Sequence, residues 1–580
     1  MRRREFLKTA AATAIGVPCI GWPTLGSGQE KTWRPEPELL ESLDNGVPRI
    51  LESQRPNGQF GREPWICRDQ NLVFPLAAAW HLKESKYHRS EVVLGAIVKG
   101  GHALIDAQDS DGKWIFRKKD NSTWGMIHMP WTYSRWIRAY SLVREAMDAK
   151  DQVRWNAGLQ LGYEEIARGL RRPHNIPCHH AMGLYCAGQV FERDDWRQKA
   201  AEFMQKVIAE QSPHGWWSEH VGPVVAYNFV YSDALGVYYR MSGDDRVMGA
   251  LGRAAEFHAA YTYPDGSSVE TVDERNPYSG RIRLGNPGFS HSAAGRGYLH
   301  QQHRLHLAKG KRFSSDYAAN MLLYASSGTI KETASGRDWL DYRMGDQARI
   351  VRKRPWFISL SAFTAEVSKS RWIQDRQNFV SVFHDDVGMV IGGGNTKMQP
   401  LWSTFTVGDT ELLEHTPGDA KPSFLPGEGL IHVPDRAELV GGEDRPGVRL
   451  HYGEEVGAVT ILPVADRKAR MVLEATSRSG LPVKGHVTLV VDSKQPVRFS
   501  NGKIVALEPT YLDQPFSDDG WIEQGGWRLS IPKGSQLRWP AKRHNPYRKG
   551  GESGFSEARM VVVLPFSKQV HRYDLTLEIL

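Results

Sequence analysis

The sequence predicts a multidomain protein of α and β parts, an N-terminal (α/α) toroid followed by an antiparallel β-sandwich domain. Three observations carry that prediction. A glycine turn motif repeats through the first half, the stretches between its copies have helical periodicity, and beyond about residue 370 the texture changes to short Val- and Ile-rich runs. The chain has 580 residues, 40% hydrophobic and 24% charged. That length and composition support a large core and exclude a disordered chain, a coiled-coil rod or collagen.

The first element is an address. Arg3-Arg4-Glu5-Phe6-Leu7-Lys8 fits the twin-arginine export pattern, followed by a mildly apolar stretch over 9–20 and the small residues Gly26-Ser27-Gly28. Residues 1–28 read as a signal peptide, which places the mature chain in the periplasm or outside the cell. Pro18 before Cys19 argues against a lipoprotein site. Removing 1–28 takes Arg2, Arg3, Arg4 and Lys8 with Glu5, so the formal charge falls from +8 to +5. No basic run remains, so nucleic acid is not expected as a partner. Beyond the signal no apolar run approaches the roughly 20 residues of a membrane span. Cys67, Cys178 and Cys186 remain, enough for one disulfide at most.

The toroid is expected over 29–345. Gln54-Arg-Pro-Asn57-Gly58-Gln-Phe60 recurs as Gln108-Asp-Ser-Asp111-Gly112-Lys-Trp114 and as Gln211-Ser-Pro-His214-Gly215-Trp-Trp217, with a shorter echo at Pro264-Asp265-Gly266-Ser267. A unit of about 50 residues fits if the copy near 160–175 has diverged. Between the turns, 71–83, 91–107, 132–149, 153–168 and 194–210 carry apolar residues at three- and four-residue spacing, which predicts helices. Two helices and a glycine turn per unit predict stacked helical hairpins. The glycine supplies positive φ, and an Asn or Asp before it suits the turn.

The β-sandwich is expected over 346–580, with the transition within 330–365 and no low-complexity linker. Residues 378–392, 485–492, 558–565 and 573–580 alternate or run apolar between Gly, Pro and Asp, the pattern of antiparallel strands. Residues 314–325 read as a last helix before a basic stretch at 349–354.

Carbohydrate is the substrate class that this combination suggests. Ten of the 19 Trp fall between Trp65 and Trp217, and indole faces stack on sugar rings when they are not helix–helix core. Three clusters carry polar groups. His174-Asn175-Ile176-Pro177-Cys178-His179-His180 sits where the diverged turn belongs. Trp217-Ser218-Glu219-His220-Val221-Gly222-Pro223 runs on to Tyr227 and Tyr231. The third spans 265–296, with Glu270, Arg281, Arg283, His291 and Arg296. Equivalent turns of successive units lie on one rim, so the clusters are expected to converge on one cleft.

With these residues in view, the chain resembles the heparinase II/III-like and alginate-lyase-like polysaccharide lyases. Glu219-x-x-Gly222-Pro223 followed by spaced tyrosines resembles the segment bearing their catalytic Tyr, and the Asn175/His179 cluster resembles their Asn-His segment. Ile176 follows Asn175 where the family commonly has His, so which His matters stays open. The resemblance implies β-elimination on an anionic uronic-acid polysaccharide. Asn175 would stabilise charge developing on the carboxylate. Tyr227 or Tyr231, with His179, would handle the proton. Arg283 would hold the carboxylate or lower the Tyr pKa. His180, Trp217, Glu219, His220, His291 and Arg296 are expected to bind substrate. His179 is preferred over His180 because it lies four residues after Asn175, on one helix face. Tyr227 is preferred over Tyr231 because it lies nearer the Gly222-Pro223 turn.

No cofactor is required. The Cys and His spacings match no zinc module, and His384-Asp385-Asp386 is the one stretch that offers ligands for a structural divalent metal. Two alternatives remain. A glycoside hydrolase on the same toroid would use carboxylates such as Asp69, Asp111, Glu219 and Asp265. A non-catalytic glycan-binding protein would use the aromatic groove alone. The sequence is silent on oligomeric state.

Overall fold

Several helices of the first half end in a glycine turn that docks on a later helix. A computed structural model of the chain describes residues 31–413, 419, 422–548 and 550–580; the expected signal, 1–28, lies outside the described residues. Among the described residues eleven α-helices occupy the first half: α1 (Pro37–Glu52), α2 (Val73–His81), α3 (Glu91–Asp106), α4 (Pro130–Val143), α5 (Ala149–Gly169), α6 (Asn175–Val190), α7 (Asp194–Ala209), α8 (Val225–Ser242), α9 (Met248–Ala260), α10 (Ala293–Ala308) and α11 (Ser315–Tyr324). In α1 a proline begins the helix and Leu39, Leu43, Val47 and Ile50 form the buried stripe.

The repeated turn is a docking device. Gln54 Nε2 donates to the Ala96 carbonyl in α3 (2.8 Å), Gln108 Nε2 to Gly158 in α5 (3.0 Å) and Gln211 Nε2 to Ala250 in α9 (2.9 Å). A Cβ on Gly58 would sit 2.2 Å from the Lys99 carbonyl oxygen, and one on Gly215 would sit 2.1 Å from that of Arg253. Both residues also need the positive φ they adopt, 83° and 89°.

Helix α2 packs on α4, α4 on α6 and α6 on α8, while α11 meets α8, α2 and α1. A buried polar tie runs through this interior. Arg135 in α4 grips Asp316 in α11 with two bonds (2.5 and 2.6 Å), and Arg138 donates to Asn320 (2.7 Å). Asn320 in turn donates to Asp233 of α8 (2.7 Å). Buried charge of this kind persists because each member is paired.

Two antiparallel sheets fill the second half. One runs from the edge strand Trp339–Met344 through Ala348–Lys353, Trp356–Ser361, Val380–His384, Gly388–Ile391, Val483–Leu489, Arg559–Phe566 and Gln536–Ala541 to Leu512–Pro515. The other is nine-stranded, with Lys468–Ala475 and Arg572–Ile579 near its middle. One apolar cluster draws on both sheets, with Ile358, Val382 and Val562 from the first and Val459, Leu473 and Leu577 from the second. The basic stretch 349–354 is largely a strand: Arg349 pairs with Asp341 (2.6 Å) and Arg352 with Asp385 (2.7 Å), both arginines buried. The turn joining Trp339–Met344 to Ala348–Lys353 spans residues 345–347. Residues Thr32–Leu580 form a single unit, and loops 364–378 and 542–554 of the strand region reach the helical region.

Candidate active site

The site begins at Asp273. Its Oδ2 accepts the Val225 N–H that opens α8 (2.9 Å), and its Oδ1 accepts the N–H groups of Arg275 and Asn276 (both 2.7 Å). One buried carboxylate thereby fixes the first turn of α8, which carries Tyr227, against the turn carrying Arg275. Glu274 adds a second tie, Oε2 accepting the Val221 N–H (2.9 Å).

Around these ties, Arg275 Nη1 donates to Tyr227 Oη (2.8 Å) and Nη2 lies 2.7 Å from His220 Nε2. Nη2 also reaches Glu219 Oε1 at 3.5 Å. Asn175, the first residue of α6, donates through Nδ2 to Glu219 Oε2 (3.0 Å), and His174 Nε2 stands 3.5 Å from Oε1. Tyr547, from the strand region, places its hydroxyl 3.4 Å from that of Tyr227.

The donor count fixes protonation. A guanidinium only donates, so His220 Nε2 accepts and its ring proton sits on Nδ1. Burial, then the charges of Arg275 and His174, push the His220 pKa down and keep the ring neutral. Burial holds Glu219 above the usual carboxylate range against the opposing pull of His174 and Arg275. Burial also raises Tyr227, with Tyr547 adding to the rise and Arg275 opposing it. Asn175 spends one amide N–H on Glu219, and its other amide N–H makes no further bond among the described residues.

An aromatic row continues from the cluster. Trp372 packs on Tyr547 (5.4 Å between centroids) and on Trp124 (5.2 Å), which belongs to the hairpin Trp114–Arg117/Thr123–Ile127. Lys118 Nζ lies 4.0 Å over the Trp124 ring and Arg371 5.1 Å over Trp372.

Of the expected site residues, the structure brings together Asn175, Glu219, His220 and Tyr227. Tyr231 is a correction: it is buried and stacks on Trp217 (4.9 Å, 9°), so both belong to the core. Trp217 Nε1 is spent on the Val207 carbonyl (2.7 Å). Most Trp of the first half share that fate, Trp80, Trp114, Trp136, Trp155 and Trp196 all being buried. His179 points into the interior, stacked on Trp131 (5.8 Å) with Nε2 3.6 Å from Asp233 Oδ2; burial drives its pKa far down. His180 bonds the His128 carbonyl through Nε2 (2.7 Å), and burial lowers it to about 4. The 265–296 segment supplies Arg275 where Arg283 was expected. Arg283 is held by its main chain, donating to Gly266 (3.0 Å) and accepting from Tyr298 (2.6 Å). Arg296 bonds the carbonyls of Thr329 and Ser290 (both 2.7 Å), and His291 contacts Ser326 (3.1 Å). Neither joins the cluster.

Arg275, Trp372 and Tyr547 are the members missed from the sequence, and His174 stands in the first polar cluster with no role assigned to it. The repeat register leads to the Arg275 segment, since Glu219 and Glu270 each follow a turn glycine by four residues. Nothing local marks Trp372 or Tyr547, which arrive by tertiary folding. Asp69, Asp111 and Asp265 are bound outside the cluster, to Lys119 (2.5 Å), Lys113 (2.9 Å) and Tyr278 (2.7 Å). Glu219 is thus the only one of the four hydrolase candidates in the cluster. His384 and Asp385 are engaged elsewhere, and among the described residues no group of three or more His, Cys, Asp or Glu side chains is placed to hold a metal. No helix there is long and apolar enough to cross a membrane.

No protein-family model matches the chain, and a comparison with curated proteins finds no match. Solved structures do resemble it. A xanthan lyase from Paenibacillus is 11% identical with a TM-score of 0.53, over 94% of this chain and 57% of its own, so the chain spans little more than half of that enzyme. The chondroitin AC lyase of Streptomyces coelicolor A3, solved with chondroitin sulphate, is 12% identical with a TM-score of 0.50, over 96% and 81%. A heparan sulfate lyase from Pedobacter heparinus is 10% identical with a TM-score of 0.50, over 94% and 83%. At these identities the likeness is one of fold: helices followed by antiparallel sheets, arranged as in polysaccharide lyases of the heparinase and chondroitinase type.

Proposed function

We propose that this chain is an exported polysaccharide lyase that cleaves a uronic-acid-containing polysaccharide by β-elimination. The helices are read as an (α/α) toroid, its inner succession closed by α11, and the two sheets as a β-sandwich behind it. The observation that carries the reading is the bond from Arg275 to the Tyr227 hydroxyl, beside an Asn175 amide held by Glu219. The charge of Arg275, which opposes the rise that burial imposes on the Tyr227 pKa, favours the phenolate form in which Tyr227 takes the proton from C5. The electron pair moves into the carboxylate, where the free Asn175 N–H meets the growing charge. The C4–O4 bond then breaks, C4=C5 forms, and Tyr227 returns the proton to the departing oxygen. No water is added. Neutral His220 keeps Arg275 aimed at Tyr227, and Lys118 and Arg371 favour a polyanion along the aromatic row. The twin-arginine start agrees with extracellular polymer as substrate.

The test is ultraviolet absorbance with xanthan, chondroitin sulfate, heparan sulfate and alginate. Elimination yields a conjugated double bond, whereas hydrolysis and binding do not. Absorbance from one polymer, lost in Tyr227→Phe, is the expected result. Chain cleavage without absorbance would refute elimination.

A further inference from the structure

A second cleft lies at the turn end of the two sheets, built from residues that the candidate active site does not use. It measures about 590 Å³ and is lined by Asp338, Trp339, Lys353, Arg354, Asp386 and Arg467, among others. Three turns converge there: residues 354–355 and 385–387 from one sheet and 466–467 from the other.

The floor is braced across the sheets. His384 is buried; its Nδ1 accepts the Asp386 N–H (3.1 Å), and Nε2 donates to the Asp466 carbonyl (2.9 Å). Trp356 Nε1 donates to the Ala465 carbonyl (2.8 Å). Asp385 receives Arg352 (2.7 Å) and Arg354 (3.3 Å). These bonds absorb the His-Asp-Asp stretch that the sequence singles out, and they hold the rim in one geometry.

Over this floor stands Trp339, 56% exposed. It sits on the edge strand of its sheet, directly opposite Lys353 in the antiparallel register. An indole bared to this extent inside a concave site, on a chain that buries most of its Trp, has no packing role there. Its free face suits the C–H face of a pyranose ring. The rim balances cations (Lys353, Arg354, Arg467) with carboxylates (Asp338, Asp386, Asp466), so it both donates to and accepts from hydroxyls without selecting for bulk charge. The volume falls in the range of roughly 300–1,000 Å³ found for small-ligand sites.

We infer that this cleft is a second carbohydrate-binding site, in which Trp339 stacks on a pyranose unit of the polysaccharide and holds the polymer away from the cleavage centre. That the ligand is the substrate polymer rests on the lyase reading.

The experiment uses the full chain as Tyr227→Phe, which holds polymer without consuming it, with and without Trp339→Ala. Migration in native gels cast with xanthan, chondroitin sulfate, heparan sulfate or alginate reads affinity. At least one polymer should retard Tyr227→Phe, Trp339→Ala should weaken that retardation roughly tenfold, and Trp339→Phe should restore part of it. Equal retardation with and without Trp339, or retardation by none of the four, overturns the second site. Ultraviolet assays on the unmutated chain run alongside. Retardation that depends on Trp339 without unsaturated product from any polymer refutes the lyase reading and leaves the second site standing.

Discussion

The helical region and the strand region meet at the candidate active site with different chemistry. From the helical region come Asn175, Glu219, His220, Tyr227 and Arg275, groups that hold charge or move protons, locked by the bonds of Asp273 and Glu274. From the strand region come Trp372, Arg371 and the Tyr547 hydroxyl, set on loops that touch the cluster at its edge. On the lyase reading the chemistry falls to the helical side, while the grip is shared between Trp372 and Arg371 of the strand side and Trp124 and Lys118 of the helical side. Both regions also hold polar side chains in buried networks, Arg138 with Asn320 in one and Arg349 with Asp341 in the other, so a polar residue near the cleft is not thereby a working one.

The largest effect should come from Tyr227. Tyr227→Phe keeps the ring beside Arg275 and removes the transferable proton, and elimination should fall by about 10³-fold or more. Initial rates by absorbance check this, with circular dichroism confirming the fold; a variant within tenfold of the unmutated chain would move the base to another residue. Asn175→Ala should cost about 10²–10³-fold in kcat with KM little changed, because the carboxylate charge grows toward the transition state. If KM rose and kcat held, Asn175 would be a ground-state contact only.

Acid should separate the two regions as well. Burial pushes His258 and His303 in the helical region, and His486 in the strand region, down to about 3. Burial also depresses His179, His180 and His291, all helical. Unfolded histidine titrates near 6.5, so below that pH the unfolded chain takes up protons that the folded chain refuses. Stability is therefore fully present above about pH 6.5 and drains as the pH falls toward 3. Five of these six histidines are helical, so amide exchange at pH 4–5 should open the helical region first. Simultaneous opening of both regions would show that they unfold as one unit.

Much of this arrangement was legible in the sequence because it is local. Turn glycines at 58, 112, 215 and 266 need positive φ, and each takes it. Expected helices over 91–107 and 194–210 match α3 and α7 within a residue, since their apolar spacing is set by the buried face. Glu219, His220 and Tyr227 were found because they sit four to twelve residues after the Gly215 turn, and Asn175 because its cluster fills the place of the diverged turn. Arg275 was missed in favour of Arg283, and the distinction rests on Asp273, a carboxylate that ties the Arg275 turn to Val225, 48 residues before it in sequence. Trp217, Tyr231 and His179 had the right types and spacing, yet they face the interior. Spacing of three or four names a face of a helix without naming what that face meets.

A smaller effect is expected from the strand side. Tyr547→Phe removes a hydroxyl 3.4 Å from that of Tyr227 and keeps the contact with Trp372. A hydrogen bond of that length is weak, so kcat should drop by no more than about tenfold. A loss as large as that of Tyr227→Phe would make the strand region a full partner in the chemistry and break the division between the two regions.

The smallest effect separates two tyrosines on one helix. Tyr231 lies four residues after Tyr227 in α8, close to one full turn, so periodicity alone puts both on the same face. What parts them is depth. Tyr227 stands near the start of α8, where the helix emerges toward Arg275. Tyr231 stands a turn further in, its ring lying flat on Trp217 under the Gly215 turn. Phenylalanine preserves that stacking surface, so Tyr231→Phe should leave the elimination rate within about twofold and stability within about 1 kcal/mol. Tyr231→Ala should instead open a cavity against Trp217 and cost about 3–5 kcal/mol, read as a fall in the urea midpoint. If Tyr231→Phe abolished elimination in a stably folded protein while Tyr227→Phe did not, the proton would pass through the deeper residue. Trp217 would then have to move aside to admit substrate.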